Sequence, residues 1–216
     1  IRNEAADVRF SRDGRVLLEY PPDMDEAVFR IPDGVEAVGR GAFRGCVRLK
    51  TLLMPDSLRE IRDYGFLNCR NLRQIRFGKG LERIGDGAFG FCVELQSANP
   101  PDSLREIGAE AFAHCESLRS FRVPPGVQEI RPRTFLGCAS LRTVELHENC
   151  RRIGAEAFLN CRRLRRLSPW IPSPDLRTLR TVELPNGRRV ERVGRKTWRI
   201  RDRLGENAFG NTPLEG

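Results

Sequence analysis

The chain of 216 residues has only two histidines, two tryptophans, two tyrosines and two methionines. The two histidines, His114 and His147, fall at different points of the pattern described below, which leaves no pair for a shared metal site or a His-based triad. No apolar run approaches the roughly 18 residues that a membrane-spanning helix needs. No N-x-S/T sequon occurs, so nothing points to N-glycosylation. No signal peptide is visible, and the chain opens at Ile1, which reads as a mature form or a piece of a longer chain. There are seven cysteines but no C-x-x-C pair, which removes the usual thiolate metal motif. P-loop and G-x-S-x-G motifs are also missing. Lysine is scarce, at three residues against 35 arginines.

The remaining composition suits a folded chain. Hydrophobic residues make up 39%, enough to form a core. The formal charge of +9 is unevenly spread. Residues 1–161 hold 24 Lys and Arg against 23 Asp and Glu, whereas residues 162–216 hold 14 against 6. The body is nearly neutral and the tail is basic.

The dominant signal is an internal repeat. Phenylalanine stands at 43, 66, 89, 112, 135 and 158, cysteine at 46, 69, 92, 115, 138 and 161, and leucine at 49, 72, 95, 118, 141 and 164. Each step is 23 residues, and the heptapeptide PDSLREI stands both at 55–61 and two periods later at 101–107. Each unit carries a Leu-x-x-hydrophobic-x-hydrophobic run, such as Leu118/Phe121/Val123, whose last residues alternate as in a half-buried strand. A second short apolar pair follows, such as Leu58/Ile61, after a turn rich in Pro, Asp, Gly and Ser. The short A-F-x-x-C segment predicts about one helical turn. Such a unit cannot bury its own apolar face, but stacked units can, with like residues in columns about 4.8 Å apart. The column Glu36, Arg59, Glu82, Arg105 alternates in sign and predicts cross-rung ion pairs.

A 23-residue period lies in the range of leucine-rich repeats, about 20–29 residues. The stretch IPDGVEAVGRGAFRGCVRLKTLLMPDSLREI (31–61) resembles the BspA-like leucine-rich repeats of bacterial and some protozoan surface proteins. The likeness covers about residues 1–164 and rests on the period and the I-G-x-x-A-F-x-x-C-x-x-L core. It implies a right-handed β/α solenoid of short strands, turns and short helical segments, used for recognition and often adhesion. It also implies a leading cap that resembles DGRVLLEYPPDMDEAVFRIPDGV (13–35), and a location at the cell surface or outside the cell. The expected organisation is an N-terminal cap or hairpin over 1–34 and six repeats over 35–164. Residues 165–216 then form a proline-containing insertion, a degenerate seventh repeat and a basic C-terminal cap. In that last region VGRKTWRIRDRL (193–204) aligns with IGAEAFLNCRRL (153–164).

Candidate chemistry is sparse. A small apolar thiol packed beneath each Phe explains the cysteine spacing, although a stacked column also brings sulfurs near enough for bridges. The G-x-G-x-x-G match GDGAFG (85–90) is only one copy of the repeat. No acid, base and nucleophile converge, so no catalytic residue, cofactor or metal is expected. The outward strand columns are more informative. One reads Lys50, Arg73, Gln96, Arg119, Arg142, Arg165; the next Thr51, Gln74, Ser97, Ser120, Thr143, Arg166; the third Leu53, Arg76, Asn99, Arg122, Glu145, Ser168. Arg73, Arg76, Arg119, Arg122, Arg142, Arg165 and Arg166 would form a basic field there, suited to carboxylates, sulfates and phosphates. A solvated charged face that only maintains solubility is the alternative. Trp170 either anchors a ligand beside that field or packs under the proline-rich bulge. The expected function is non-enzymatic binding of an acidic protein or glycan. The alternatives are polyanion or nucleic-acid binding by the basic 162–216 region, and a structural spacer in a larger surface protein.

Overall fold

From Val28 to Trp170 strand pairing between coils runs at an offset of 23 residues. The computed structural model describes residues 2–3, 6–147, 149–150, 152–170, 181–183, 189–192 and 198–201. Three strands open the chain: β1 (Arg2–Asn3), β2 (Ala6–Phe10) and β3 (Val16–Glu19). Two series then alternate. The first is β4 (Val28–Arg30), β6 (Thr51–Leu53), β8 (Gln74–Arg76), β11 (Ser120–Arg122), β13 (Thr143–His147) and β15 (Arg166–Trp170). The second consists of two-residue strands: β5 (Ala37–Val38), β7 (Glu60–Ile61), β9 (Arg83–Ile84), β10 (Glu106–Ile107), β12 (Glu129–Ile130) and β14 (Arg152–Ile153). Within each series the strands pair parallel, for example Val28 with Thr51 and Ser120 with Thr143. The result is a β-solenoid of about six turns.

The hairpin β2–β3 is antiparallel, and β3 joins the second series by pairing parallel with β5. In the first series the fourth coil contributes only bridges, Gln74 to Ser97 and Ala98 to Phe121. The sequence explains the weak rung. Met54 and Val123 each donate their N–H to the next coil, to Arg76 and Glu145. The equivalent residue of the fourth coil is Pro100, which has no N–H to give. Ala98 is also small, and rings in the flanking coils lean in beside it, Phe77 against Phe89 and Phe121 against Phe112.

The third side of each coil corrects the expected helical segments. Among the described residues there is no helix; the A-F-x-x-C stretch is a chain of turns. In the first full coil Ala42, Arg44 and Cys46 donate three residues back, to Gly39, Gly41 and Phe43. The alternate residues Gly41, Phe43 and Gly45 donate instead to Asp63, Gly65 and Leu67 of the next coil. The reason lies in two left-handed residues per coil. One column is Gly41, Tyr64, Gly87, Glu110, Arg133 and Glu156; the other is Gly45, Asn68, Phe91, His114, Gly137 and Asn160. Positive φ at both positions stops a right-handed helix and turns the backbone N–H groups toward the neighbouring coil.

The core is a set of columns. Phe43, Phe66, Phe89, Phe112, Phe135 and Phe158 are wholly buried. Their rings stack in order with centroids 4.6, 5.1, 5.3, 5.8 and 5.4 Å apart. Tyr20, 23 residues before Phe43, extends the stack at 4.8 Å. It is the member that a search for Phe alone overlooks.

The cysteines occupy the next column, and all are free and buried. Each thiol donates to a carbonyl one coil earlier: Cys69 to Phe43 at 3.0 Å, Cys115 to Phe89 at 3.2 Å, Cys161 to Phe135 at 3.1 Å. The Phe43 oxygen also accepts the N–H of Cys46, at 3.2 Å. Cysteine therefore supplies two things at once, a small apolar volume and a weak donor that completes a buried carbonyl. Burial pushes the thiols of Cys92, Cys115 and Cys138 up, which keeps them protonated.

At the far end, β16 (Thr181–Glu183), β17 (Arg189–Arg192) and β18 (Trp198–Arg201) form an antiparallel sheet. Most of the stretch aligned with a seventh winding, 193–204, lies outside the described residues. Its described part, Trp198–Arg201, pairs antiparallel with Arg189–Arg192.

Candidate binding surface

Two faces of the solenoid carry charge, and they differ in how far that charge is neutralised. On the two-residue-strand face, Arg83 reaches Glu60 at 2.7 Å, Glu106 at 3.4 Å and Asp63 at 3.8 Å. Arg131 reaches Glu106 at 3.0 Å and Asp86 at 3.9 Å, and Arg152 reaches Glu129 at 3.1 Å. Partial burial opposes ionisation of Glu60, but hydrogen bonds from Arg62 and Arg83 outweigh it and hold the carboxyl below its ordinary range. Each exposed pair contributes about 0–1 kcal/mol, so the network sets register more than stability.

The column expected to pair is displaced by one residue. Among the described residues Glu36, Arg59, Glu82 and Arg105 do not form ion pairs with one another. Glu36 meets Arg15 at 3.5 Å, and Arg59 donates to the Gly80 carbonyl at 3.0 Å. The pairing column starts one position later, at Glu60, Arg83 and Glu106, because those residues sit within the in-register rungs of β7, β9 and β10.

The face of the longer strands holds the predicted arginine field. Arg73 is engaged, its Nε 2.8 Å from Glu94, and Arg122 is half-buried with its guanidinium 2.7 Å from Asp102. These partners stand 21 and 20 residues away, off the repeat period. Arg76, Arg119, Arg142 and Arg165 are exposed, and no carboxylate lies within 4 Å of them among the described residues. Arg119, Arg142 and Arg165 are direct neighbours. The Arg142 N–H donates to the Arg119 carbonyl at 2.8 Å, and the Arg165 N–H donates to Arg142 at 2.9 Å. Three guanidinium stems thus leave successive rungs with no described acid between them. Gln96 separates this group from Arg73 in the same column. The backbone of Arg166 pairs with Thr143 and that of Trp170 with His147; their side chains lie outside the described residues.

The two histidines stand apart. His114 stacks on Phe91 at 4.5 Å, on the turn side of the coil, while His147 is buried at the end of β13 and accepts the Asn149 N–H at 3.2 Å. Among the described residues no cluster of three or more His, Cys, Asp or Glu could hold a metal ion. An open cleft of about 270 Å³ beside β4 is lined by Asp25, Ala27, Val47, Arg48, Lys50 and Asn71, and the Arg48–Asp25 ion pair crosses its rim. No helix among the described residues is long and apolar enough to cross a membrane.

Comparisons with known proteins agree with this geometry. A leucine-rich cell surface protein of Faecalibacterium prausnitzii is 30% identical, with a TM-score of 0.63; the match covers 67% of this chain and 38% of that one. The T. pallidum leucine-rich repeat protein is 28% identical, with a TM-score of 0.65, and the match covers 76% of this chain and 90% of that one. The pneumococcal vaccine antigen PcpA is 23% identical with a TM-score of 0.58, over 68% of this chain and 35% of that one, and so shares the fold. The chain therefore spans well under half the length of the first and third of these proteins. No curated protein sequence matches. The model of the BspA type leucine-rich repeat region matches in six copies, over residues 27–135 and 60–174. This chain belongs to the BspA type leucine-rich repeat family.

Proposed function

We propose that the chain is a non-enzymatic recognition module at a cell surface, and that it binds an acidic protein or glycan through its longer-strand face. The observation that carries this reading is the run of Arg119, Arg142 and Arg165 on adjacent rungs, exposed and without a described carboxylate partner. Like charges at rung spacing repel one another, and a planar guanidinium is well matched to an anionic ligand. The likeness to a cell surface protein of F. prausnitzii supports the location. Arg76 and Arg73 extend the field, and Arg122, Arg166 and Trp170 flank it.

The test is charge reversal. Arg73→Glu/Arg119→Glu/Arg142→Glu should abolish retention of the full chain on immobilised heparin and on immobilised poly-L-glutamate at 0.15 M salt, where the Debye length is about 8 Å. Its thermal unfolding should stay close to that of the unsubstituted chain, since exposed charges contribute little to stability. Unchanged retention on both would refute this face and leave the basic 162–216 region as the polyanion-binding element.

A further inference from the structure

We infer that the ligand is an anionic polysaccharide, laid along the solenoid axis over the rungs of Arg119, Arg142 and Arg165. This rests on the face proposed above and narrows what binds there. The first argument is charge. On the two-residue-strand face Arg83 and Arg131 are engaged by Glu60, Asp63, Asp86 and Glu106. On the longer-strand face Arg73 and Arg122 are engaged by Glu94 and Asp102. Glu145, the remaining acid of this outward surface, lies opposite Arg122 in register and not in the Arg119 column. Arg76, which also has no carboxylate within 4 Å among the described residues, stands two coils away in another column, so the contiguous unneutralised charge is a line of three, one per coil, and a line of cations selects anions spaced along a polymer.

The second argument is what the face lacks. Among the described residues the exposed large hydrophobics are Leu18, Val28, Val47, Tyr64 and Phe91. None of them stands on the outward strand positions beside Arg119, Arg142 and Arg165. Those positions are Ser120 and Arg122, then Thr143 and Glu145. Protein interfaces draw much of their energy from Trp, Tyr and Arg anchors in a dry centre, and the described part of this surface offers arginines and hydroxyls with no aromatic among them. Ser97, Ser120 and Thr143 run as a column beside the arginines, with Ser120 and Thr143 paired in register. Hydroxyls donate to and accept from sugar hydroxyls, while arginine takes sulfate or carboxylate groups through its planar fork. A polyhydroxylated polyanion presents hydroxyls and acid groups together along its whole length and so matches both columns at once.

The experiment measures equilibrium binding of the full chain to heparin, polygalacturonate and poly-L-glutamate across a salt series. Arg119→Ser/Arg142→Ser/Arg165→Ser should weaken binding to heparin or polygalacturonate by roughly tenfold or more at 0.15 M salt. It should also lower the slope of log K against log salt by about 2–3, as three lost contacts require. Arg44→Ser/Arg59→Ser/Arg105→Ser removes the same charge elsewhere and should leave that binding within about twofold. Preference for heparin over polygalacturonate assigns sulfate, and the reverse assigns carboxylate; either supports the inference. Poly-L-glutamate binding as tight as either glycan, and equally sensitive to the serine substitutions, overturns the polysaccharide while the face stands. Glycan binding that ignores the serine substitutions overturns the inference, and if the glutamate variant is also unaffected, the face falls with it.

Discussion

Phe112→Ala will lower the stability of the solenoid by about 3–5 kcal/mol, the range for emptying the site of a buried aromatic ring. Phe112 is wholly buried, with Phe89 at 5.3 Å on one side and Phe135 at 5.8 Å on the other. Phe121 leans on it at 5.0 Å. Three ring contacts are lost together, each about 0.5–1.5 kcal/mol beyond area burial. The backbone cannot collapse into the hole, because the Phe112 N–H is tied to Thr134 at 2.9 Å and the Cys115 N–H to Phe112 at 3.2 Å. A solenoid also passes each coil's stability only to its neighbours. A vacancy in a central coil therefore uncouples the two halves, and urea unfolding should broaden as well as shift to lower concentration. A loss under about 1 kcal/mol would mean that Phe112 does not stand in a packed column.

The six column cysteines will react with a small chromogenic disulfide at least ~1000-fold more slowly in the folded chain than in denaturant. Only a thiolate attacks, and two barriers stand in its way. The hydrogen-bonded neighbour Cys69, with burial, raises the pKa of Cys46, and burial raises those of Cys92, Cys115 and Cys138. All six are at most 1% exposed, so the reagent reaches sulfur only after the coil opens. For a stability of several kcal/mol, opening reduces the rate by ~1000-fold or more. Cys150 is the exception. It replaces the Leu or Val of its column, is 7% exposed, and burial raises its thiol only to about 11. One fast thiol and six slow ones is the expected progress curve. Rapid reaction of several thiols in the folded chain would exclude the closed column.

Much of this architecture is legible in the sequence, for a physical reason. A 23-residue winding puts residue i on residue i+23, so the spacing of Phe43, Cys46 and Leu49 already contains the rung register seen at Val28–Thr51 and Thr51–Gln74. What escapes is whatever breaks identity or leaves the period. Tyr20 belongs to the Phe column, but its coil carries Asp23 where the others carry Cys. The turn-built third side is signalled by Gly41, Gly45, Asn68 and Asn160, residues that tolerate positive φ. Tyr64, Phe91, Glu110 and Arg133 adopt the same conformation without any such signal. The arginine field was visible as columns. Its partial neutralisation was not, because Glu94 and Asp102 reach Arg73 and Arg122 diagonally from corners, at separations of 21 and 20 residues.

The stacking register itself can be measured by crosslinking. Ser120 and Thr143 are register partners on adjacent rungs, where paired strands bring Cα atoms about 4.8 Å apart, within disulfide reach. Ser120→Cys/Thr143→Cys should form an intramolecular disulfide under mild oxidation, identified by mass spectrometry of the linked peptides, while Ser120→Cys/Val144→Cys should not. Failure of the first pair to link, or equal linking of both, would contradict a chain wound with 23 residues to the turn.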